Sequence, residues 1–188
     1  MLPIPNLIIL AAFTATGTAL TVIVFQFKKR GMTFLGRPSI NPTVFYTGKI
    51  SLFFSWGVLI YRCIVPTEGI FTAPTWLQWV AVALMAVSAF ILIRSFFDLG
   101  AALKIGLPEN ETRLSTGGLY AFSRNPIYLS VFMVNLASCI FYPHPLNILC
   151  SGYGIFVHYL ITLSEEKFLA DRFGAEWEDY RKRVRRYL

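Results

Sequence analysis

Residues 115–130 contain the side chains and the spacing that best suit ligand chemistry. Their sequence, STGGLYAFSRNPIYLS, combines a glycine pair, aromatic rings, an arginine and the start of an apolar run. Asn125 is a favourable N-cap and Pro126 suits the first helical position, so a helix is predicted to begin here. The free N–H groups of a helix start attract anions. Ordinary capping also explains these residue types, so the segment alone leaves an anion site and a plain helix start open.

A second candidate is the adjacent pair Glu165 and Glu166, which follows the last long apolar run. Two carboxylates at the edge of a membrane are costly unless a cation compensates them. Arg124 or an arginine of the C-terminal tail would do so in a structural ion pair. The other interpretation is that one glutamate holds a ligand ammonium group, while the anionic part of the same ligand lies on the N–H groups after Asn125.

Composition places these residues in a membrane protein. The 188 residues are 55% hydrophobic and 14% charged, with a mean hydropathy of +0.57, whereas soluble domains carry about 25% charged residues. Cys63, Cys139 and Cys150 lie in apolar runs without metal-ligand spacing, so no metal site is predicted. The net charge of +7 comes from basic residues gathered at the ends of apolar runs, which indicates membrane topology and not nucleic-acid binding.

Five apolar runs predict five transmembrane helices, and the expected fold class is an all-α membrane protein. Lys49 and Arg62 lie near the two ends of the second run and Arg94 lies near the end of the third, where long side chains can reach the headgroups. The last two runs are slightly short for a full crossing and predict a helical hairpin packed on its neighbours. The runs are residues 4–27, 43–65, 74–97, 126–141 and 146–163.

Two polar regions complete the predicted organisation. Residues 98–124 are too charged for the hydrocarbon layer and predict a cytoplasmic functional loop. Residues 164–188 predict an amphipathic helical tail on the membrane surface, with Gly174 as a possible break and residues 181–186 against anionic headgroups. Every Lys and Arg outside the runs lies on one side if the N-terminus is outside and the C-terminus cytoplasmic. The loop, the RNPIY helix start and the tail then share one face.

In combination, these motifs resemble a known group of membrane enzymes. The order Gly-Leu-Tyr, RNPIY, apolar hairpin, Glu-Glu and FGAEWEDYRKRV is similar to the isoprenylcysteine carboxyl methyltransferase and phospholipid methyltransferase family, whose pattern is RHPxY, a Glu pair and an FG-x-x-(aromatic)-x-x-Tyr tail. The resemblance implies a membrane methyltransferase that uses S-adenosyl-L-methionine. Its acceptor would be lipophilic (prenylcysteine-like, a lipid amine or a hydrophobic thiol) and would enter from the bilayer among membrane lipids.

The resemblance also implies which residues form the cofactor site. Residues 1–97 would be a three-span part, and residues 98–188 would supply the cofactor-binding loop, the hairpin and the tail of one compact unit. Tyr120 matches a tyrosine that lines the cofactor pocket, and Glu165, with Glu166 beside it, matches the glutamate that binds the cofactor's amino group. The stretch that wraps the cofactor matches Asn125, Pro126, Ile127 and Tyr128, and the loop that borders the adenosine matches Thr112, Arg113, Leu114 and Ser115.

Two positions depart from the family pattern. Asn125 stands where the family has histidine, and because an amide does not titrate near neutrality, proton transfer there is not expected. Ile161 stands where the isoprenylcysteine enzymes have an arginine that contacts the substrate carboxylate, which argues against a prenylcysteine carboxylate. No general base is marked. His158 and Arg124 are the candidate catalytic residues, and a packed, hydrogen-bonded side chain is an equal alternative for His158.

Two other classes of function stay open at this point. A sterol-reductase-like membrane enzyme has a similar HPxY-like element and a tryptophan at the place of Trp177, and it would use NADPH. The chain is short for that class. A non-catalytic membrane scaffold would use the glutamates and Arg124 as a structural ion pair. Binding of S-adenosylmethionine or of NADPH separates the three classes.

Overall fold

A computed structural model describes residues 2–29, 36–66, 69–100 and 113–188 of the chain. Throughout these residues the fold is helical, and an isolated strand-like bridge joins Ser123 and Arg185. A short 3₁₀ helix, Gly118–Ala121, precedes the fourth α-helix. The α-helices are α1 (Ile4–Lys29), α2 (Pro42–Ile64), α3 (Thr75–Leu99), α4 (Pro126–Phe141), α5 (Pro145–Phe173) and α6 (Ala175–Arg183).

The length and composition of the helices support a multi-pass membrane protein. Within the described residues, α1, α2, α3 and α5 are long and apolar enough to cross a membrane, and α4 is a shorter apolar helix of 16 residues. Five full crossings therefore remain a prediction. The starts of α2 and α4 and the ends of α3 and α5 lie together with α6, and we call this the α6 end of the bundle.

The fifth helix is longer than its apolar run. It continues past Leu163 to Phe173, over 29 residues, so residues 164–173 are its last turns and not a separate surface tail. The apolar run ends at Leu163 because the residues after it are charged. The helix itself continues because residues 164–173 include Glu, Lys, Leu and Ala, which favour a helical backbone. The predicted break is at Gly174, where a φ of 51° ends α5 before α6 begins.

Helices α2 and α5 approach closely because glycines face larger side chains. Gly48 of α2 lies directly against the Val157 side chain. On the other helix, a Cβ added at Gly154 would lie 2.6 Å from Leu52 Cδ2. Small residues of this kind let two helix backbones pack tightly within a membrane, where no hydrophobic force between helices is available.

Polar contacts also run along the α2–α5 seam. In a bilayer such groups have no water to bond, so they pair across the helices. Four of these contacts follow one another along the seam, three of them between the antiparallel helices and one between α5 and Ser39, which precedes α2. They join Ser39 O to Ser164 Oγ, Thr47 Oγ1 to Tyr153 Oη (2.8 Å), Cys150 O to Ser51 Oγ (2.8 Å) and Asn147 Oδ1 to Ser55 Oγ (2.8 Å).

Candidate functional site

Asp98, near the end of α3, holds the glycine turn in place. Its Oδ2 accepts the Leu119 N–H at 2.8 Å, and its Oδ1 lies 2.9 Å from Arg94 Nη2. Gly118 has a φ of +59°, and a Cβ there would collide with the Asp98 carboxylate. The turn therefore requires glycine both for its backbone conformation and for the space that Asp98 occupies.

Glu166 is the ionic centre of the α6 end. Its Oε1 accepts from Arg124 Nη2 at 3.1 Å and from Asn125 Nδ2 at 3.0 Å, and its Oε2 accepts from Arg186 Nη2 at 2.9 Å. The Arg124 and Glu166 side chains are only 8% and 9% exposed, so this is a buried ion pair. Of the two interpretations of the glutamate pair, Glu166 therefore fits the first: its charge is compensated by Arg124 and by Arg186 of the C-terminal tail.

Residues 184–187 cross the start of α4. The Arg124 N–H donates to the Arg185 carbonyl at 2.9 Å, and Arg124 Nη1 donates to the Val184 carbonyl at 2.7 Å. Tyr187 Oη reaches Thr162 Oγ1 of α5 at 3.4 Å. Arg186 thus turns inward to Glu166, whereas the sequence pattern predicted that it would face lipid headgroups.

The prediction that the Asn125 side chain caps α4 is wrong. Asn125 occupies the N-cap position, and Pro126 follows at the first helical position, but the Asn125 side chain makes no capping hydrogen bond. Its amide instead donates to Glu166 and to the Arg186 carbonyl, at 3.0 and 3.3 Å. The hydrogen bond from the Asn125 amide to a carboxylate is charge-assisted. It is therefore stronger than a capping bond from a backbone N–H to the Asn125 side-chain oxygen, and the side chain turns away from the helix.

Glu165 has a different environment from its neighbour. The Tyr128 hydroxyl lies 2.9 and 3.0 Å from its two carboxylate oxygens. Among the described residues, the Glu165 side chain has no further hydrogen bond and no ion pair within 4 Å. Because an ionised carboxylate offers about four acceptor sites, Glu165 retains capacity for a ligand cation.

Tyr120, in the 3₁₀ helix before α4, is bonded to α6. Its carbonyl accepts the Tyr180 hydroxyl at 2.6 Å. Burial raises the pKa of Tyr180 to about 12, so the phenol stays protonated and donates at neutral pH. Burial, followed by the charges of Tyr180, Asp98 and Glu165, also raises the pKa of Tyr120. The charge of Glu165 thus acts on Tyr120, and the cofactor contact of Tyr120 stays a prediction.

The other predicted cofactor residues occupy the periphery of this region. Leu114 packs against the cluster of Trp177, Tyr180 and Val184, and Ser115 Oγ donates to the Asp98 carbonyl at 3.4 Å. Thr112 lies outside the described residues. Arg113 is exposed, Pro126 is buried, and Ile127 packs beside Ile23 and Phe27 of α1.

His158 is a packed, hydrogen-bonded histidine. Its Nδ1 lies 2.8 Å from the Gly154 carbonyl, and since a carbonyl only accepts, Nδ1 is the donor. The ring is 4% exposed, and its centroid lies 6.0 Å from that of Tyr128. This is one of the two environments that the sequence left open for His158, and a catalytic role for it stays a prediction.

Lys49 is the residue near the site that sequence reasoning missed. That its side chain reaches for lipid headgroups stays a prediction; its Nζ lies 4.6 Å from the centroid of the Phe45 ring. It is also within electrostatic range of Glu165 and His158 on α5. The available signal was its neighbour Gly48, which marks this face of α2 as a helix contact.

Comparison with known families agrees with the motifs. A family model described as phospholipid methyltransferase matches residues 76–176, more than half of the 188-residue chain. The matched range runs from α3 to the start of α6 and includes Arg124, Tyr128 and both glutamates. A search of curated proteins finds no match to the chain.

Proposed function

Because the chain belongs to the phospholipid methyltransferase family of membrane methyltransferases, we propose that it transfers a methyl group from S-adenosyl-L-methionine to a lipophilic acceptor. The observation that carries this proposal is the environment of Glu165. Its carboxylate accepts a hydrogen bond from the Tyr128 phenol at the α6 end, where the RNPIY segment and the glutamate pair of the family pattern lie together. A carboxylate held in this way suits the amino group of a zwitterionic cofactor.

The donor set distinguishes the two glutamates. Glu165 accepts only from Tyr128 among the described residues, so it fits an ammonium group. Glu166 already accepts from Arg124, Asn125 and Arg186, and an ammonium group would have to displace one of them. We therefore assign cofactor contact to Glu165 and a positioning role to Glu166, which joins α5 to the start of α4 and to residues 184–187.

The remaining contacts are assigned from the resemblance and supported by position. Tyr120 and Tyr128 would line the pocket beside Glu165, since both phenols lie near its carboxylate. Pro126 and Ile127 would form the wall at the start of α4. Residues 112–115 would border the adenosine, and Asn125 would fix the neighbouring C-terminal segment.

When bound, the cofactor supplies an activated methyl group on a positively charged sulfur. The task of the chain is then to hold the donor in line with the acceptor and to exclude water. Glu165 and Tyr128 would orient the amino end, and the apolar side chains of α4 and α5 would exclude water. The basic residues at the α6 end, including Lys28 and Lys29, support a cytoplasmic position for this site.

Ligand-dependent stability tests the cofactor assignment. S-adenosylmethionine or S-adenosylhomocysteine should raise the thermal stability of the purified protein, and NADPH should not. A ligand at about 100 times its Kd adds about 2.7 kcal/mol when it binds only the folded state. Stabilisation by NADPH alone would support the reductase class, and no response to any of the three would support a scaffold.

Glu165→Gln tests the residue assignment. The substitution keeps the shape but removes the charge, so loss of a charge-assisted hydrogen bond of about 1.5–3 kcal/mol should weaken S-adenosylhomocysteine binding about 10- to 100-fold. The matched control is Glu178→Gln in α6, whose carboxylate pairs with Arg181 and is 42% exposed. Equal affinities of the two variants in a calorimetric titration would remove Glu165 from the site.

A further inference from the structure

Asn135 has a buried amide oxygen without a hydrogen-bond donor. The residue lies in the middle of the apolar helix α4 and is fully buried. Its Nδ2 donates to the Val131 carbonyl at 2.9 Å. Because that carbonyl only accepts, the amide nitrogen faces it, and Oδ1 is the atom left over. Among the described residues, Asn135 Oδ1 has no hydrogen-bond partner.

Asn135 lies on the side of α4 that faces α5. Tyr128, seven residues earlier, is turned by only about 20° from Asn135 around the helix axis, and its ring centroid lies 6.0 Å from that of His158 of α5. Three residues after Asn135, Ser138 accepts hydrogen bonds from the Asn147 amide of α5 at 3.1 Å. Asn135 is therefore placed between two levels at which α4 contacts α5.

His158 offers a second acceptor on the opposite helix. Its Nδ1 donates to the Gly154 carbonyl at 2.8 Å, so in the neutral ring Nε2 carries a lone pair and accepts. Within the part of the chain that the structure describes, no donor bonds His158 Nε2. The facing sides of α4 and α5 thus present two acceptors, Asn135 Oδ1 and His158 Nε2, and neither of them has a donor.

The unpaired oxygen of Asn135 indicates what kind of group would bind there. A buried acceptor without a donor has lost its hydration and gained no bond in return. Leucine, which has nearly the shape of asparagine, would fill the same place in an apolar helix without that cost. A polar residue kept at such a position calls for a functional explanation. A molecule that completes the site has to supply a donor, because both free groups accept.

We propose that Asn135 accepts a hydrogen bond from a hydroxyl group on the apolar part of the methyl acceptor. Seven helical residues from Tyr128 to Asn135 correspond to about 10 Å along α4. An acceptor whose reactive end lies beside Tyr128 and Glu165, and whose apolar part follows α4, would reach Asn135 at that distance. This inference rests on the proposed function and adds a feature of the acceptor. Asn135 is a specificity-determining residue in this assignment.

Three probes with the same head group test the assignment: oleate, ricinoleate, which is oleate with one hydroxyl group on its chain, and the O-methyl ether of ricinoleate. Their affinities are measured on the full chain in detergent, with and without S-adenosylhomocysteine. The wild type should bind ricinoleate about tenfold or more tightly than the other two, which cannot donate. Asn135→Leu should abolish this preference. Asn6→Leu is the control, since Asn6 is buried but bonds the Cys63 carbonyl of α2, and it should keep the preference.

Thermal stability without any probe separates a ligand site from a structural role. Asn135→Leu should melt at or above the temperature of the wild type, because it removes an unpaired acceptor. Asn147→Leu should melt lower, because it breaks bonds to Ser138 and Tyr142. A lower melting temperature for Asn135→Leu would show that a bound water satisfies the oxygen, and it would overturn the inference.

The binding outcomes also separate this inference from the cofactor assignment. An Asn135→Leu variant that keeps the preference, or a wild type that binds the three probes equally or not at all, overturns the role of Asn135. Failure of the wild type to bind S-adenosylhomocysteine overturns the proposed function, while the preference is still read without it. Should Asn135→Leu not fold, the wild type decides: a ricinoleate with a diazirine beside its hydroxyl group should label α4 near Asn135, and labelling elsewhere alone refutes the site.

Discussion

Glu166→Gln should release the C-terminal segment from the bundle. The substitution leaves the Arg124 guanidinium, which is 8% exposed, without its carboxylate, whereas Arg186 is 33% exposed and loses less. Removing one partner of a buried ion pair costs about 3–5 kcal/mol. Because glutamine still accepts one hydrogen bond and Arg186 is partly solvated, we expect the low end of that range, about 3 kcal/mol, in the free energy of opening.

Limited trypsin digestion measures this opening. Residues 181–186 offer several cleavage sites, and cleavage within a folded helix and its bonded extension requires local unfolding. When reclosing is faster than cleavage, the rate follows the open population, so about 3 kcal/mol should accelerate cleavage about 100-fold. The matched control is Glu178→Gln, which breaks the exposed Glu178–Arg181 pair and should change the rate by less than about fivefold.

A second variant distinguishes local opening of the C-terminal segment from a general loss of folding. Arg186→Met removes the 2.9 Å contact of the C-terminal segment with Glu166 but keeps the buried Arg124–Glu166 pair. It should therefore be cleaved faster than the wild type and more slowly than Glu166→Gln, while its thermal stability stays close to that of the wild type. A Glu166→Gln rate equal to that of Glu178→Gln would refute the view that Glu166 holds residues 184–187 in place.

Two further predictions concern the turn before α4. Gly118→Ala should lower thermal stability by about 1–3 kcal/mol, since alanine is strained at a φ of +59° and its Cβ would displace Asp98. Gly117→Ala, with a φ of −97° and open space, should be neutral, and equal melting temperatures would contradict this account. Tyr180→Phe should cost about 1 kcal/mol by leaving the Tyr120 carbonyl without its donor. Because the folded pKa of Tyr180 is raised from 10 to about 12, its contribution is complete below pH 10 and is lost as the pH rises to 12; the wild type should lose more stability than Tyr180→Phe in this window, and parallel pH profiles would contradict it.

The first four helices follow from local signals. Apolar runs and the prolines and polar residues that interrupt them act within a few positions, so the predicted runs match α1 to α4 closely. The end of α5 does not follow in this way. Residues after Leu163 favour a helix, but whether that helix runs on from the fifth apolar run or begins again on the membrane surface depends on partners such as Arg124 and Arg186, which lie elsewhere in the chain.

The site illustrates the same division. Topology was sufficient to predict that the RNPIY segment and the glutamate pair meet, and Asn125 does contact Glu166. Which glutamate has which partner was not predictable, because neighbouring helical residues point about 100° apart and the rotation of α5 is set by packing. The role of Arg186 depends on the path of residues 184–187, and no local pattern distinguishes it from the other tail arginines.

The polar contacts between α2 and α5 restrict how the bundle can move. They occur at four successive levels, from Ser39 and Ser164 at one end to Ser55 and Asn147 towards the other. Sliding one helix past the other by a single turn, about 5.4 Å, would break all four at once. We therefore expect the two helices to move as one rigid body, so that any movement that opens the bundle separates α2 and α5 together from the other helices.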